Sequence, residues 1–385
     1  MPSEEDYWVG PTIGEGAFGH VVYAVHKATE RKVAIKVMEV PTREGSHHRQ
    51  NQQKQKTAII LNERRILSLP ELKSSRWTID LWAAFCGKAS SSSSSQCLYF
   101  VLKLATGGDL AGLIRRGLQS HHRRSWLHDS VPWYASQLIE AVEFLHSKGV
   151  LHCDLKPENL LLDATNGHLL IADFGCAIDT NQQHHQPIEE PCHRGTALYA
   201  SPEVLRAGSL SVAVDYWSVG CILHAMIHGS SPFDHGSEAL TVRAILRYSA
   251  CDGSRSSWEE GDNTEFCVAS SDEIKADNHF EDTASEKAFP SIKNEENHGQ
   301  NLMKHLSRDL LVAVPEERIS AWKESALSFL SLKSHDDEGN CDNDDVDPSS
   351  RNDIKNILLP IPDWQDEIDG ATLRDGSLGW FVFQI

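Results

Sequence analysis

No apolar run in the 385-residue chain approaches the roughly 18–20 residues that a helical bilayer span needs. The nine cysteines have no C-x-x-C spacing and no disulfide-rich density, so the expected setting is reducing, cytosolic or nuclear. No basic-then-apolar leader opens the chain. Met1-Pro2-Ser3-Glu4-Glu5-Asp6 is acidic, and a secretory signal is not expected. There is no internal repeat and no collagen-like period. Positive charge is also in short supply: the net charge is −19, which argues against nonspecific nucleic-acid binding, since that needs a cationic surface against phosphate.

What is present reads as globular, with 40% apolar and 24% charged residues. The acidity is local. Residues 1–250 hold 25 acids and 24 bases, whereas residues 251–300 hold 13 and 4, and residues 301–385 hold 17 and 8. A balanced body with solvated acidic insertions is expected, disordered over 251–287 and again over 334–350. Residues 7–40 read as strands, with a turn at Thr29–Lys32. The polar stretch 41–56 reads as a flexible loop, and 57–69 as a helix ended by Pro70. A hairpin, Ile79–Phe85 with Cys97–Leu104, is split by the serine tract Ser90–Ser95, which cannot pack. Helical spacing follows at Val131–Lys148 and Ala239–Tyr248. Asp215–Met226 is nearly all apolar, as a central helix would be. Between these, Leu160–Leu162 and Leu169–Ile171 flank a turn at Asn166-Gly167.

Gly14-Glu15-Gly16-Ala17-Phe18-Gly19 precedes Val21-Val22-Tyr23. Glycines let backbone N–H groups approach phosphate, and the β-branched run after them favours a phosphate-covering hairpin over a helix-opening turn. Val33-Ala34-Ile35-Lys36 puts a lysine on the next strand, and the following helix offers Glu63 as its partner. Then come His152-Cys153-Asp154-Leu155-Lys156-Pro157-Glu158-Asn159, Asp173-Phe174-Gly175, Gly195-Thr196, Ala200-Ser201-Pro202-Glu203, Asp215-Tyr216-Trp217 and Arg318.

In this order and spacing the motifs resemble eukaryotic protein kinases of the serine/threonine type. The resemblance implies an α+β, bilobal fold: an N-lobe over 1–105 with an antiparallel sheet and one main helix, and a mostly helical C-lobe over 106–385 that carries the acidic insertion 251–300 and the tract 334–350. It implies ATP and Mg2+ as cofactors and a protein as substrate. By the resemblance, Gly14, Gly16 and Gly19 cover the phosphates and Lys36 binds them, paired with Glu63. Asn159 and Asp173 hold the metal. Asp154 takes or orients the substrate hydroxyl proton, Lys156 neutralises the transferred group and marks serine/threonine specificity, and Thr196 supports both. Ile13, Val21, Ala34 and Leu161 belong to the adenine pocket with Leu102 at its rear. Lys103–Ala105 offers backbone hydrogen bonds, and Asp109 either meets the ribose or serves as a helix cap. Asp215 ties down the loop around Asp154, and Arg318 pairs with Glu203.

Leu98-Tyr99-Phe100-Val101-Leu102, Gly107-Gly108-Asp109-Leu110 and Gly195–Glu203 are most similar to phosphoinositide-dependent protein kinases, of the kinase A/G/C group. Relatives in that group phosphorylate the activation loops of other kinases. Calcium/calmodulin-type kinases share much of this wording, but no basic amphipathic segment follows residue 330. No lipid-binding pleckstrin-homology module is visible, and oligomeric state is not encoded. The chain departs from the family at Cys153, where an arginine is usual, at Cys192, where the phosphorylated serine aligns, and at Ile59, Asn62 and Ile178, where the family has an aromatic, an arginine and a lysine. Loss of a phosphoacceptor together with its basic cradle implies activation without a phosphate at that position. Glu189 and Glu190 as fixed charges are the rival reading, and Cys153 and Cys192 are either inert thiols or a redox pair. Arg64 aligns with a substrate-phosphate contact or is simply a surface arginine. Trp380 and Phe383 either tuck beside the main helix or pack on the body. The histidine pairs at 47–48, 121–122 and 184–185 suggest no metal geometry. Every charged residue that phosphoryl transfer needs is present, which favours an active enzyme over a pseudokinase scaffold.

Overall fold

The structure is a computed structural model. It describes residues 3–16, 19–40, 47–88, 96–119, 123–181, 197–208, 210–250 and 298–326. The serine tract, Thr196, Cys192, Glu189, Glu190, His121–His122, His184–His185, residues 251–297 of the acidic insertion, the tract 334–350 and the aromatic C-terminus lie outside the described residues.

The N-lobe is a five-stranded antiparallel sheet in the order β1-β2-β3-β5-β4. Its strands are β1 (Tyr7–Gly16), β2 (Gly19–His26), β3 (Lys32–Val40), β4 (Leu81–Lys88) and β5 (Gln96–Lys103). One face buries Val22, Ala24, Val33, Ile35, Tyr99 and Val101. The other joins the main core through Ala34, Met38 and Phe100. The alternation follows the period of two along β3, and it sets Lys36 opposite Val21 on β2 and Phe100 on β5. Gly19 opens β2 with φ 157°. A Cβ at this position would run into the Val37 carbonyl oxygen. Gly19→Ala should therefore lower the thermal midpoint, at a cost of about 1–3 kcal/mol, and should loosen the hairpin over the cleft.

Helix α1 spans His47–Leu67. It starts well inside the stretch read as a loop. Residues 47–56 are Gln-, Lys- and His-rich with no apolar face, so hydrophobic periodicity gave no signal. Glutamine and lysine are nonetheless good helix formers, and the turns propagate from the apolar second half. The expectations at Val131–Lys148, Asp215–Met226 and Ala239–Tyr248 hold within a few residues as α3 (Val131–Ser147), α4 (Ala213–His228) and α5 (Glu238–Ala250), whereas α2 (Leu110–Gln119), α6 (His298–Leu310) and α7 (Pro315–Ala321) were not expected, and α6 begins inside the stretch read as the acidic insertion. Fourteen residues of α4 are buried, which makes it the axis of the C-lobe. Tyr216 on α4 stacks on Trp322 at 4.0 Å, and Trp217 on Phe233 at 5.3 Å.

Two short antiparallel pairs lie at the top of the C-lobe. They are β6 (Val150–Leu151) with β9 (Ile178–Asp179), and β7 (Leu160–Asp163) with β8 (His168–Ile171). The lobes are stitched where the Ile79 N–H donates to the Ile171 carbonyl at 3.0 Å and the Ile171 N–H to that of Trp77 at 2.7 Å. Gly107 passes so close to Leu162 that a Cβ would sit 2.7 Å from its carbonyl oxygen, so the chain crosses between lobes with no side chain at that point.

Candidate active site

The cleft is built from the ends of these elements. Strand β3 carries Lys36, and α1 presents Glu63 one turn before its end. The Lys36 ammonium donates to both Glu63 carboxylate oxygens at 2.8 Å and lies 3.2 Å from Asp173 Oδ1. Burial works against the Lys36 charge, but Asp173 and Glu63 together outweigh it and hold the ammonium well above the ordinary lysine range. Two carboxylates thus share one cation. Burial pushes Glu63 up more than Lys36 pulls it down. For Asp173 the burial penalty is outweighed by Lys36 and Lys156, which keep it below the usual aspartate range.

Asp154, Lys156 and Asn159 come from the loop between β6 and β7. Lys156 Nζ donates to Asp154 Oδ2 at 2.9 Å, and Asn159 Nδ2 donates to the Asp154 carbonyl at 2.9 Å and to Oδ2 at 3.3 Å. Burial opposes the Lys156 charge and Asp154 more than restores it, so the ammonium stays protonated. The loop is anchored from below. Asp215, fully buried on α4, accepts the N–H of His152 at 2.9 Å and that of Cys153 at 2.8 Å, and His146 Nε2 lies 2.8 Å from its Oδ2. Burial raises this carboxyl, but the His146 contact and the His152 N–H more than offset that and hold it below the usual range. Asp215→Ala should strand two buried N–H groups and destabilise the fold by about 2–4 kcal/mol, measured by urea unfolding. Cys153 (φ 63°) and Asp173 (φ 61°) both adopt the left-handed region without being glycine. Backbone strain of this kind collects at functional sites.

Asn159 Oδ1 is buried and accepts no hydrogen bond among the described residues. An orphaned amide oxygen and an ionised carboxylate are hard oxygen donors, the ligand type Mg2+ takes, so Asn159 and Asp173 fit that ion. Ile13, Val21, Leu104, Ala105 and Leu161 are part-buried and pack against the core cluster that contains Ala34 and Leu102. At the end of β5 the Lys103 N–H donates to the Asp80 carbonyl at 2.9 Å and its ammonium pairs with Asp163 at 2.8 Å. Asp109 is buried, and its Oδ1 accepts the Gly112 N–H at 2.6 Å as the cap of α2. Arg318, fully buried, reaches Glu203 Oε1 at 2.7 Å. Arg64 is exposed on α1. Among the described residues no cluster of three or more metal-ligating side chains occurs.

Sequence reasoning missed His146, whose helical spacing looked merely amphipathic, and it missed what Asn62 and Arg65 touch. The Asn62 amide donates to the Gly175 and Ala177 carbonyls, and Arg65 pairs with Asp179.

Charge gathered at the seam of two lobes, beneath a glycine-rich hairpin, is how bilobal phosphotransferases position a nucleotide and neutralise its phosphates. The chain belongs to the protein kinase domain family, whose pattern it matches over residues 7–330. Relatives that it matches in part are named as serine/threonine-protein or phosphoinositide-dependent protein kinases. Serine/threonine-protein kinase ksg1 of Schizosaccharomyces pombe is 33% identical over 255 residues, covering 63% of this chain and 39% of that protein. Human 3-phosphoinositide-dependent protein kinase 1 is 32% identical over 243 residues, again 63% and 39%. Serine/threonine-protein kinase PKH1 of Saccharomyces cerevisiae is 31% identical over 253 residues, 63% and 30%. The chain thus spans about two fifths or less of the length of these relatives. Kinases of the family use ATP and, in general, Mg2+. Among the described residues no helix is long and apolar enough to cross a membrane.

Proposed function

We propose that the chain transfers the γ-phosphoryl group of ATP to serine or threonine hydroxyls of protein substrates, inside the cell, and that its substrates include the activation loops of other kinases. The last element rests on the resemblance to the phosphoinositide-dependent kinases. The observation that carries the reading is the Lys36 ammonium held between Glu63 and Asp173, across the cleft from an Asp154 braced by Lys156 and Asn159.

In this reading Ile13, Val21, Ala34 and Leu161 enclose the adenine, and the Lys103 carbonyl and Ala105 N–H pair with its edge. Gly14, Gly16 and Gly19 let backbone N–H groups cover the phosphates, and Lys36 meets them as a fixed positive charge. Asn159 and Asp173 would hold Mg2+, which would supply charge neutralisation on the phosphates. Asp154 Oδ2 is occupied by Lys156 and Asn159, which leaves Oδ1 to orient the substrate hydroxyl and accept its proton. Lys156 stays charged to offset the negative charge that develops on the transferred group. Thr196 is assigned to support this pair from the loop above, and residues 1–105 and 106–385 form the two lobes.

Phosphoamino-acid analysis of a generic basic protein incubated with the chain and Mg–ATP tests the assignment. Phosphoserine and phosphothreonine are expected, and phosphotyrosine alone would contradict it. A pH profile tests the role of Glu63. Its raised pKa means that it takes up a proton before Asp173 as pH falls, and protonation removes the partner of Lys36. Activity should therefore fall through a pKa above the ordinary glutamate value. Glu63→Gln should lower kcat/KM at neutral pH and abolish that acid limb.

A further inference from the structure

Helix α1 carries Glu63, so whatever fixes α1 fixes the Lys36 pair. Among the described residues, the side chains by which α1 meets the segment leaving Asp173 include Ile59, Asn62 and Arg65. Ile59 packs on Gly175, where a Cβ would lie 2.8 Å from its Cγ2. Asn62 Nδ2 donates to the Ala177 carbonyl at 2.8 Å and to the Gly175 carbonyl at 3.2 Å. Asn62 Oδ1 in turn accepts from Arg65 NH2 at 3.0 Å, and Arg65 NH1 pairs with Asp179 Oδ2 at 3.0 Å. The pair is partly shielded, with the Arg65 side chain 34% and that of Asp179 6% exposed.

The far end of this network is the catalytic loop. Asp179 and Ile178 form β9, which pairs with Val150 and Leu151 of β6, and β6 runs directly into His152-Cys153-Asp154. One continuous set of contacts therefore joins Glu63, the segment after Asp173 and Asp154. Each bond in it is made by the chain's own groups: an amide faces two carbonyls, and the guanidinium has its carboxylate built in.

We infer that Asn62 and Arg65 are positioning residues, which clamp α1 onto Gly175–Asp179 and so hold Glu63 against Lys36 without any added anionic group. The inference rests on the proposed kinase activity. The geometry requires two N–H donors at position 62. A carboxylate of the same shape cannot supply them and would face the two carbonyl oxygens with negative charge.

The test uses the full chain treated with phosphatase and confirmed unmodified by intact mass. Steady-state kinetics would compare wild type with Asn62→Asp, Asn62→Ala and Arg65→Ala, alone and in a Glu63→Gln background. The expected result is a fall in kcat of about tenfold or more for each clamp variant, with the thermal midpoint shifted by only a few degrees. In the Glu63→Gln background the same substitutions should cost at most about twofold, because the clamp acts through Glu63. Arg65→Lys, which keeps the charge on Asp179, should restore part of the loss. An active wild type matched in kcat by the Asn62 and Arg65 variants would overturn the inference and leave the kinase reading intact. So would losses of equal size with and without Glu63, which would mark the residues as merely structural. An unmodified wild type that transfers no phosphate, and does so only after phosphorylation, would show that the built-in clamp is insufficient and also overturn it. A wild type inactive in both forms would instead overturn the proposed function.

Discussion

Replacing Asp154 with asparagine should lower kcat by about 10²–10⁴-fold while ATP still binds, as expected for loss of a positioned general base. The side chain is nearly isosteric, and the loop has other anchors. His152 and Cys153 give their N–H groups to Asp215, and Asn159 donates to the Asp154 backbone carbonyl rather than to its side chain alone. The site should therefore keep its shape. What changes is the charge. Lys156, 2.9 Å from Oδ2, loses its carboxylate partner, and the hydroxyl proton loses its acceptor. Nucleotide affinity, assigned in the proposed function to the apolar residues around Ala34 and to Lys36, should change by no more than a fewfold. Steady-state kinetics with a parallel nucleotide titration separates the two effects. Equal losses in both would mean that the substitution had disrupted the fold.

The largest effect on stability should come from Arg318. Its guanidinium has no solvent exposure and five acceptor atoms: Glu203 Oε1 at 2.7 Å and Oε2 at 3.4 Å, and the carbonyls of Ala213 (2.7 Å), Val312 (2.8 Å) and Ala313 (3.1 Å). It also lies 5.0 Å from the centre of the Trp217 ring. Arg318→Ala removes one side chain but leaves a carboxylate and three carbonyls without their donor, a loss of about 3–5 kcal/mol. The double substitution Arg318→Met with Glu203→Gln removes the unpaired charge but not the orphaned carbonyls, so it should recover only part of that loss. Chemical denaturation of the three proteins reads this directly. A loss below about 1 kcal/mol for Arg318→Ala would mean that the pair is solvated in solution.

The residues that sequence reasoning could find are those whose chemistry is tied to a short local pattern. Lys36 sits in a β-branched strand, Asp154 and Asn159 share one loop, and Asp173 precedes Phe174-Gly175. Each reads from its neighbours, because phosphoryl transfer admits few substitutes for a charge at a fixed place. The β-type run of β3 and the apolar run of α4 were legible for the same reason: each element is buried on more than one face, so its apolar residues run on with few interruptions. The first half of α1 was not. A helix without an apolar stripe leaves no trace in periodicity, and only its propensity hinted at it. Asn62 was legible only as a departure. That its amide reaches two backbone carbonyls more than a hundred positions away depends on tertiary placement. His146 is a similar case, since Asp215, its partner, lies on another helix. Thr196 and Cys192 lie outside the described residues, so their assignments stand on the resemblance alone.

The central claim is phosphoryl transfer by the residues around Lys36 and Asp154. Its most direct test is incorporation of labelled γ-phosphate from Mg–ATP by the purified chain. The substrates are a generic basic protein and peptides copied from activation loops of related kinases, with Asp154→Asn as control. Label on serine or threonine that the variant fails to transfer is the predicted result, with preference for the activation-loop peptides. ATP binding without transfer to any of these substrates would contradict it.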